Sequence, residues 1–179
     1  MSKLFFYPHI TLMQKSTAID NINSDVKRLA DDLSEIMYAN GGIGLAANQV
    51  GFLKRIIVVR AEDISANFVA NSDVPNVLIN PVVVEQSQEL LDSQEGCLSF
   101  PGLEFIVKRP KSLLVKAITL DEKEIEIEAS DLFAACLAHE IEHLDGITLI
   151  DKISKTQKKI YLDKLKRNKK LLANNAAKI

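Results

Sequence analysis

The sequence predicts an α+β fold, in which mainly antiparallel sheets pack around one central helix and a basic helix closes the chain. Three observations support this prediction. Residues 113–120 and 124–128 alternate apolar and polar side chains with period two, as the strands of an antiparallel hairpin do. Residues 132–138 are apolar nearly all round, which favours a buried helix. The order helix, strands, buried helix and exposed helix is typical of α+β proteins, and 179 residues suit one domain.

The first predicted element is a helix over residues 21–40. Its apolar side chains recur at helical spacing, and Asn23 or Ser24 can act as the N-cap. Gly41 and Gly42 are expected to end the helix. We interpret the apolar stripe as core packing.

Strands and loops are predicted in the next part of the chain. The pattern indicates a buried strand, a polar loop and a second strand, at residues 55–60, 61–75 and 77–79. The second strand is expected to turn near Asn80 and Pro81, because this dipeptide is typical of turns. Residues 82–84 would then pair with residues 89–92.

Two further helices are predicted towards the C-terminus. Ser130 or Asp131 is expected to cap the central helix, which should end at Gly146. Ser154 and Gln157 have the spacing of a capping box at the start of the last helix.

The net charge of -2 conceals a strong asymmetry along the chain. Residues 152–179 carry ten Lys or Arg residues and one Asp, which gives a charge of +9. The other residues comprise 12 basic and 23 acidic side chains, which gives -11. The sequence therefore indicates an acidic body followed by a basic helix.

Composition also predicts the cellular compartment. No apolar run approaches the roughly 20 residues that a bilayer-crossing helix needs. Pro8 and His9 stand where a signal peptide would continue its apolar region. Cys97 and Cys136 are too few for a disulfide scaffold, which favours free, catalytic or metal-bound thiols. We expect a cytoplasmic protein.

An H-E-x-x-H pentapeptide lies near the end of the central helix. Its first and last residues, His139 and His143, are four residues apart and so face the same side of a helix, where both imidazoles can bind one metal ion. Glu140 lies beside them. The central helix is therefore predicted to be a metal-binding helix, and the pentapeptide alone is typical of zinc proteases.

A third protein ligand has several candidates. Cys136 precedes His139 by three residues, but seven residues separate it from His143, about 10.5 Å of helix rise, so we interpret it as a core thiol. His9 is interpreted as a histidine of the lead-in segment. Cys97, in a glycine-rich segment that can fold back over the helix, is the favoured ligand. Three ligands would leave the fourth position open, as in catalytic sites.

Three segments together resemble the motifs of peptide deformylase. They are GIGLAANQ at residues 42–49, EGCLS at 95–99 and HEIEH at 139–143, in the family's order and with similar separations. The likeness covers most of residues 5–151. It implies a catalytic domain over residues 1–151 and, as an extension of the same domain, a basic helix over residues 152–179.

The resemblance implies a reaction and a metal. Members of the family remove the N-formyl group from the initiator methionine of nascent polypeptides and release formate. By position, Cys97, His139 and His143 would hold one divalent metal ion. The ion would be Fe²⁺ in cells, with Zn²⁺, Ni²⁺ or Co²⁺ able to substitute, and it would lower the pKa of a bound water.

The resemblance also implies roles for four other residues. Glu140 would act as the general base and then deliver the proton to the leaving amine. The Gln49 side chain and the Leu98 backbone N–H would donate to the oxyanion, where removing one donor typically costs about 100- to 1000-fold in rate. Gly44 would offer its backbone to a substrate that binds as an added strand.

The chain departs from the family pattern at several positions. Glu142 stands where Asp is usual, and we interpret it as a structural residue paired with Arg109. Glu104 replaces a common Arg near the substrate entrance, and Gly41 replaces a common acid. Ser130 and Asp131 occupy the region where a Gly usually precedes the helix. These departures concern entrance contacts and peptide preference more than metal chemistry.

Partners and alternatives complete the sequence interpretation. The substrate would be N-formyl-methionyl nascent peptides, and the basic helix would contact ribosomal RNA unless it only aids solubility; neither a membrane nor DNA is expected as a partner. Two alternative functions remain, a zincin-like endopeptidase and a non-catalytic homologue that binds the ribosome or a nascent chain. Gln49, Cys97 and Glu140 together argue against the non-catalytic homologue.

Overall fold

The computed structural model describes the backbone of residues 3–60 and 76–176, with side chains described for residues 3–60 and 77–167. The predicted polar loop at residues 61–75 lies outside the described residues. The chain divides into two units, Met1–Thr148 and Leu149–Ile179. The domain boundary after residue 151 stays a prediction.

The first helix, α1, spans Ser24–Ala39. Asn23 is its N-cap, and its side chain accepts hydrogen bonds from the backbone N–H groups of Asp25 and Val26. The N–H of Gly41 donates to the Tyr38 carbonyl at the C-terminal end, and this glycine has a φ of 66°. The predicted helix and its cap are confirmed.

Within the described residues, seven strands form two antiparallel sheets, so the predicted α+β class is confirmed. The five-stranded sheet has the order β1-β2-β3-β6-β7 and the smaller sheet pairs β4 with β5. The strands are β1 Gly44–Ala46, β2 Ile56–Val59, β3 Asn76–Gln86, β4 Leu90–Gly96, β5 Glu104–Pro110, β6 Ser112–Ile118 and β7 Glu124–Ser130. The hairpin expected from the period-two pattern is β6–β7.

The turn predicted near Asn80 and Pro81 is wrong, because β3 runs through both residues. Asn80 has a φ of 51°, and its side chain accepts from the Ile19 N–H and donates to the Ile19 carbonyl, both at 2.8 Å. The register of β3 against β6 shifts between Ile79 and Val82. The Asn-Pro pair therefore makes a bulge that is held by the lead-in segment.

The strand pairing expected around that turn is also wrong. Val82 and Val83 lie opposite Lys116 and Val115 in β6. Residues 90–92 belong instead to β4, which pairs with β5.

The central helix, α2, spans Asp131–Leu144 and packs on one face of the large sheet. Side chains alternate between the two faces of β2. Ile57 and Val59 join the apolar cluster that contains α2, whereas Ile56 and Val58 join the cluster that contains α1. The sheet therefore lies between the two helices, and α2 is buried as the sequence predicted.

Of the two ends of α2, only the C-terminal end shows the expected local hydrogen bonds. Ser130 is the N-cap, although its side chain makes no capping hydrogen bond, and Asp131 has a φ of 52°. At the C-terminal end, Gly146 has a φ of 74° and donates to the His143 carbonyl at 3.0 Å, while Ile147 donates to the Glu142 carbonyl at 2.9 Å. This Schellman pattern fixes the helix end at the predicted glycine.

In the described part of the second unit, residues 149–176, there are two helices, α3 Leu149–Lys152 and α4 Lys155–Ala176. The predicted capping box is confirmed, because the Ser154 N–H donates to Gln157 Oε1 and the Gln157 N–H donates to Ser154 Oγ. Within the described residues, no helix combines the length and apolar composition that crossing a bilayer requires.

Candidate metal centre

Three side chains converge at the C-terminal half of α2. Cys97, His139 and His143 each offer one donor atom, and these atoms lie within 4.8 Å of one another. The Cys97 Sγ is 3.2 Å from His143 Nε2. The two imidazoles are one helical turn apart, and the thiol comes from the turn that follows β4. One sulfur and two nitrogens form a donor set suited to a divalent transition metal.

A buried ionic network fixes the orientation of His139 through its Nδ1 atom. His139 Nδ1 lies 2.9 Å from Glu95 Oε2, which leaves Nε2 for a ligand. Arg109, only 2% exposed, binds both oxygens of Glu95 with Nε and one terminal nitrogen, at 2.6 and 2.7 Å. Its other terminal nitrogen donates to Glu142 at 2.7 Å. This is the pair predicted from the sequence for Glu142, which stands where the family usually has Asp.

The charges around this network favour a positive charge on His139. Burial alone would raise the pKa of Glu95, but hydrogen bonds with Arg109 and His139 lower it to about 2. Burial likewise opposes charging of His139, yet hydrogen bonds with Cys97 and Glu95 and the charge of Glu140 raise its pKa well above the ordinary value. Negative groups therefore outweigh the desolvation of a positive charge here.

Glu140 lies beside the donor atoms with little solvent contact. It is 5% exposed, and within the described residues its Oε2 has no hydrogen-bond partner. Burial raises the pKa of Glu140 to about 7. A β-carbon on Gly44 would lie 2.6 Å from Glu140 Oε1, so only glycine leaves room for this carboxyl group. A carboxyl group with this pKa can both accept and release a proton near neutral pH.

The Gln49 amide is directed at the same centre. Gln49 lies in a 3₁₀ turn, Ala47–Val50, and is 1% exposed. Its Oε1 accepts from the Ala46 N–H at 2.8 Å, which leaves the amide nitrogen facing Ser99 Oγ at 3.0 Å and Cys97 Sγ at 3.5 Å. The amide nitrogen of Gln49 therefore points towards the atoms that could hold a metal ion.

These groups open onto a cavity of about 830 Å³. Leu98 and residues 42–44 line it together with Cys97, His139 and Glu140. Among the residues that the structure describes, β1 of the large sheet pairs with β2 alone, so its other side is an open strand edge beside the cavity. An extended chain could therefore hydrogen-bond to this edge.

Neither of the other candidate ligands, Cys136 and His9, belongs to the metal-ligating group found among the described residues. Cys136 is 8% exposed, its Sγ lies 3.7 Å from the Ile43 carbonyl, and burial raises its pKa well above the ordinary value. His9 stacks on Phe5 and bonds Thr11 through Nδ1 at 2.9 Å. These contacts agree with the interpretation of Cys136 as a core thiol and of His9 as a histidine of the lead-in segment.

The sequence interpretation missed two supporting residues, Asn48 and Ser99. Asn48 is fully buried and donates to the His143 carbonyl, and Ser99, also fully buried, accepts from Gln49. Both lie within the motifs that carry the resemblance. Their polar character in buried segments was the available signal, because buried polar groups need partners.

The fold and this centre define a class of protein, the metal-dependent hydrolases. Two histidines one turn apart, a thiol and a buried carboxyl group meet at the floor of a cavity with an open strand edge. Such an arrangement is suited to attack by water on a carbonyl carbon.

Comparison with known proteins identifies the family. The profile of the family described as polypeptide deformylase matches residues 1–159. The peptide deformylase of Thermodesulfovibrio yellowstonii is 47% identical over 163 residues, which cover 91% of this chain and 95% of that protein. A solved peptide deformylase from Legionella pneumophila has a TM-score of 0.84 at 31% identity, over 97% of this chain and 98% of that one. The solved peptide deformylase of Ehrlichia chaffeensis in complex with actinonin has a TM-score of 0.83 at 34% identity, over 94% and 98%.

The chain belongs to the peptide deformylase family. It is a metal-dependent hydrolase that removes the N-formyl group from the N-terminal methionine of nascent polypeptides and releases formate.

Proposed function

We propose that Cys97, His139 and His143 hold the single divalent metal ion of this deformylase. The observation that supports this most is the convergence of their donor atoms within 4.8 Å beside a buried carboxyl group. When bound, the ion lowers the pKa of a coordinated water and polarises the formyl carbonyl. We propose Fe²⁺ as the ion in cells, with Zn²⁺, Ni²⁺ or Co²⁺ able to substitute, because thiolate and imidazole accept all four.

Glu140 carries the proton in this proposal. Its carboxylate takes a proton from the attacking water and later gives it to the amine that leaves as the new N-terminus. Two observations support this role, the pKa of about 7 and the Oε2 that has no partner within the described residues.

Gln49, Leu98 and Gly44 position the substrate in this proposal. The Gln49 amide N–H and the Leu98 backbone N–H donate to the oxygen of the formyl group as it becomes negative. The backbone of Gly44 pairs with the substrate, which lies along the open edge of β1. The cavity lining and the direction of the Gln49 amide support these roles.

The proposed metal centre is tested by anaerobic purification, metal analysis and a formate-release assay on formyl-Met-Ala-Ser with the same preparation. We expect about one metal ion per chain, loss of formate release with a chelator, and recovery when Fe²⁺ is returned. Hydrolysis of internal peptide bonds in preference to the formyl group would favour the endopeptidase alternative. Bound metal without any hydrolysis would favour the non-catalytic homologue.

We also propose that the enzyme is cytoplasmic and that its basic C-terminal helix contacts the ribosome. The charge of +9 over residues 152–179 supports an RNA partner, since each phosphate contact releases a counterion. We expect ribosome co-sedimentation at low salt that falls steeply as salt is raised. Deleting residues 152–179 should abolish it, and unchanged co-sedimentation of the shortened chain would contradict the proposal.

A further inference from the structure

The charge at the mouth of the catalytic cavity comes from one side chain. Among the described residues that line the cavity, none is Lys or Arg, and three are acids, Glu95, Glu104 and Glu140. Glu95 is neutralised by Arg109, and Glu140 lies buried on the floor. Glu104 is exposed, so its carboxylate is the charge that an entering peptide meets.

Glu104 is held close to the reacting centre. It is the first residue of β5 and pairs with Gly96, the residue before Cys97. A β-carbon on Gly96 would lie 3.9 Å from Glu104 Cγ, so the Glu104 stem extends over this glycine. Neighbouring Cα atoms are about 3.8 Å apart and paired ones about 4.5–5.5 Å, so the Cα atoms of Glu104 and Cys97 lie within about 10 Å of each other.

The orientation of the Glu104 carboxylate leaves it available to a ligand. Gln94 donates to its Oε2 at 2.8 Å, which fixes the side chain across the β4–β5 hairpin. The cations of the same hairpin have other partners, since Lys108 pairs with Asp92 and Arg109 pairs with Glu95. Within the described residues no ion pair to Glu104 is formed, so the charge of this exposed cavity-lining residue is not neutralised by a cation among them.

We propose that Glu104 gives this enzyme a preference for formylated peptides with Lys or Arg at the second or third residue. An extended peptide advances about 3.3 Å per residue, so these residues lie about 3–7 Å beyond the formylmethionine. A long basic side chain there can reach the carboxylate of Glu104, whose Cα lies within about 10 Å of the Cys97 Cα. The inference rests on the proposed function, and it identifies which nascent chains that site processes fastest.

The test compares kcat/KM for formate release from amidated formyl-Met-Lys-Ala, formyl-Met-Ala-Lys and their Glu counterparts, with the metal-loaded full chain. Amidation removes the terminal carboxylate, which would otherwise mask the effect. We expect the Lys peptides to be preferred by about two- to fivefold at low salt, the range of an exposed ion pair. The difference should lie in KM and shrink in 0.5 M salt, because salt screens exposed charges.

Three variants decide the outcome. Glu104→Gln should bring the Lys/Glu ratio to about one, and Glu104→Arg should invert it. Glu124→Gln removes the same charge from an exposed strand position outside the cavity lining and should keep the wild-type preference. An unchanged ratio in Glu104→Gln, or an equal loss in Glu124→Gln, would overturn the proposal. Absence of formate from every peptide would instead contradict the proposed function.

Discussion

Replacing Glu140 with Gln should reduce formate release by about 10²- to 10⁴-fold while the metal stays bound, since a positioned general base contributes a factor of this size. The amide keeps the shape of the carboxyl group, so its packing against Gly44 is preserved, but it cannot accept the proton of the attacking water. Steady-state kinetics on formyl-Met-Ala-Ser, with metal analysis of the same sample, measures both quantities.

The matched control for this prediction is Glu35→Gln, which makes the same change at an exposed position of α1. It should retain wild-type kcat/KM and metal content. Near-normal turnover in Glu140→Gln would remove Glu140 from the mechanism. Loss of metal together with activity would instead show that Glu140 supports the binding of the ion.

Replacing Arg109 with Met should lower the free energy of unfolding by about 3–5 kcal/mol, because it leaves two carboxylates near each other without their cation. Arg109 is 2% exposed and binds Glu95 through two hydrogen bonds and Glu142 through one. Urea denaturation of the metal-loaded protein, with and without the substitution, measures the loss.

Two further variants separate the buried charge from the change in side-chain size. Arg109→Met with Glu95→Gln removes both partners of the buried pair and should recover part of the loss. Arg28→Met breaks the pair with Asp25, whose side chains are 71% and 78% exposed, and should cost less than about 1 kcal/mol. Equal losses at Arg109 and Arg28 would contradict the assignment of the effect to burial.

Much of the fold could be predicted because its signals are local. The N-cap of α1, the β6–β7 hairpin, the capping box of α4 and the glycine at the end of α2 depend on residues that are neighbours in sequence. Asn80 shows where local signals fail. Its dipeptide with Pro81 is typical of a turn, but two hydrogen bonds to Ile19, 61 residues away, hold β3 in one piece. The same lack of long-range information led to the wrong partner for β4.

The candidate site could likewise be predicted only in part from the sequence. Helical spacing alone brought His139 and His143 to one side of α2. Cys97 was favoured from its glycine-rich segment, and the resemblance of three separate motifs then supported the choice, since no periodicity joins β4 to α2. Glu95 could be a carboxylate that orients a metal-binding histidine or an ordinary exposed acid, and the sequence did not decide between them. The bond from Arg109 to Glu95 was not predicted, because a strand pattern does not tell which charged residue turns inward to a buried partner.

The open edge of β1 also bears on how this protein avoids self-association. An unpaired strand edge invites another sheet to continue it, and long flat edges lead to aggregation. Here the edge is three residues long, and all three residues are buried. A short, buried edge of this kind offers little length for a folded neighbour to pair with, whereas a single chain end can follow it. The proposed recognition through the main chain would also treat most side chains alike, which suits an enzyme that must accept the first residues of very different proteins.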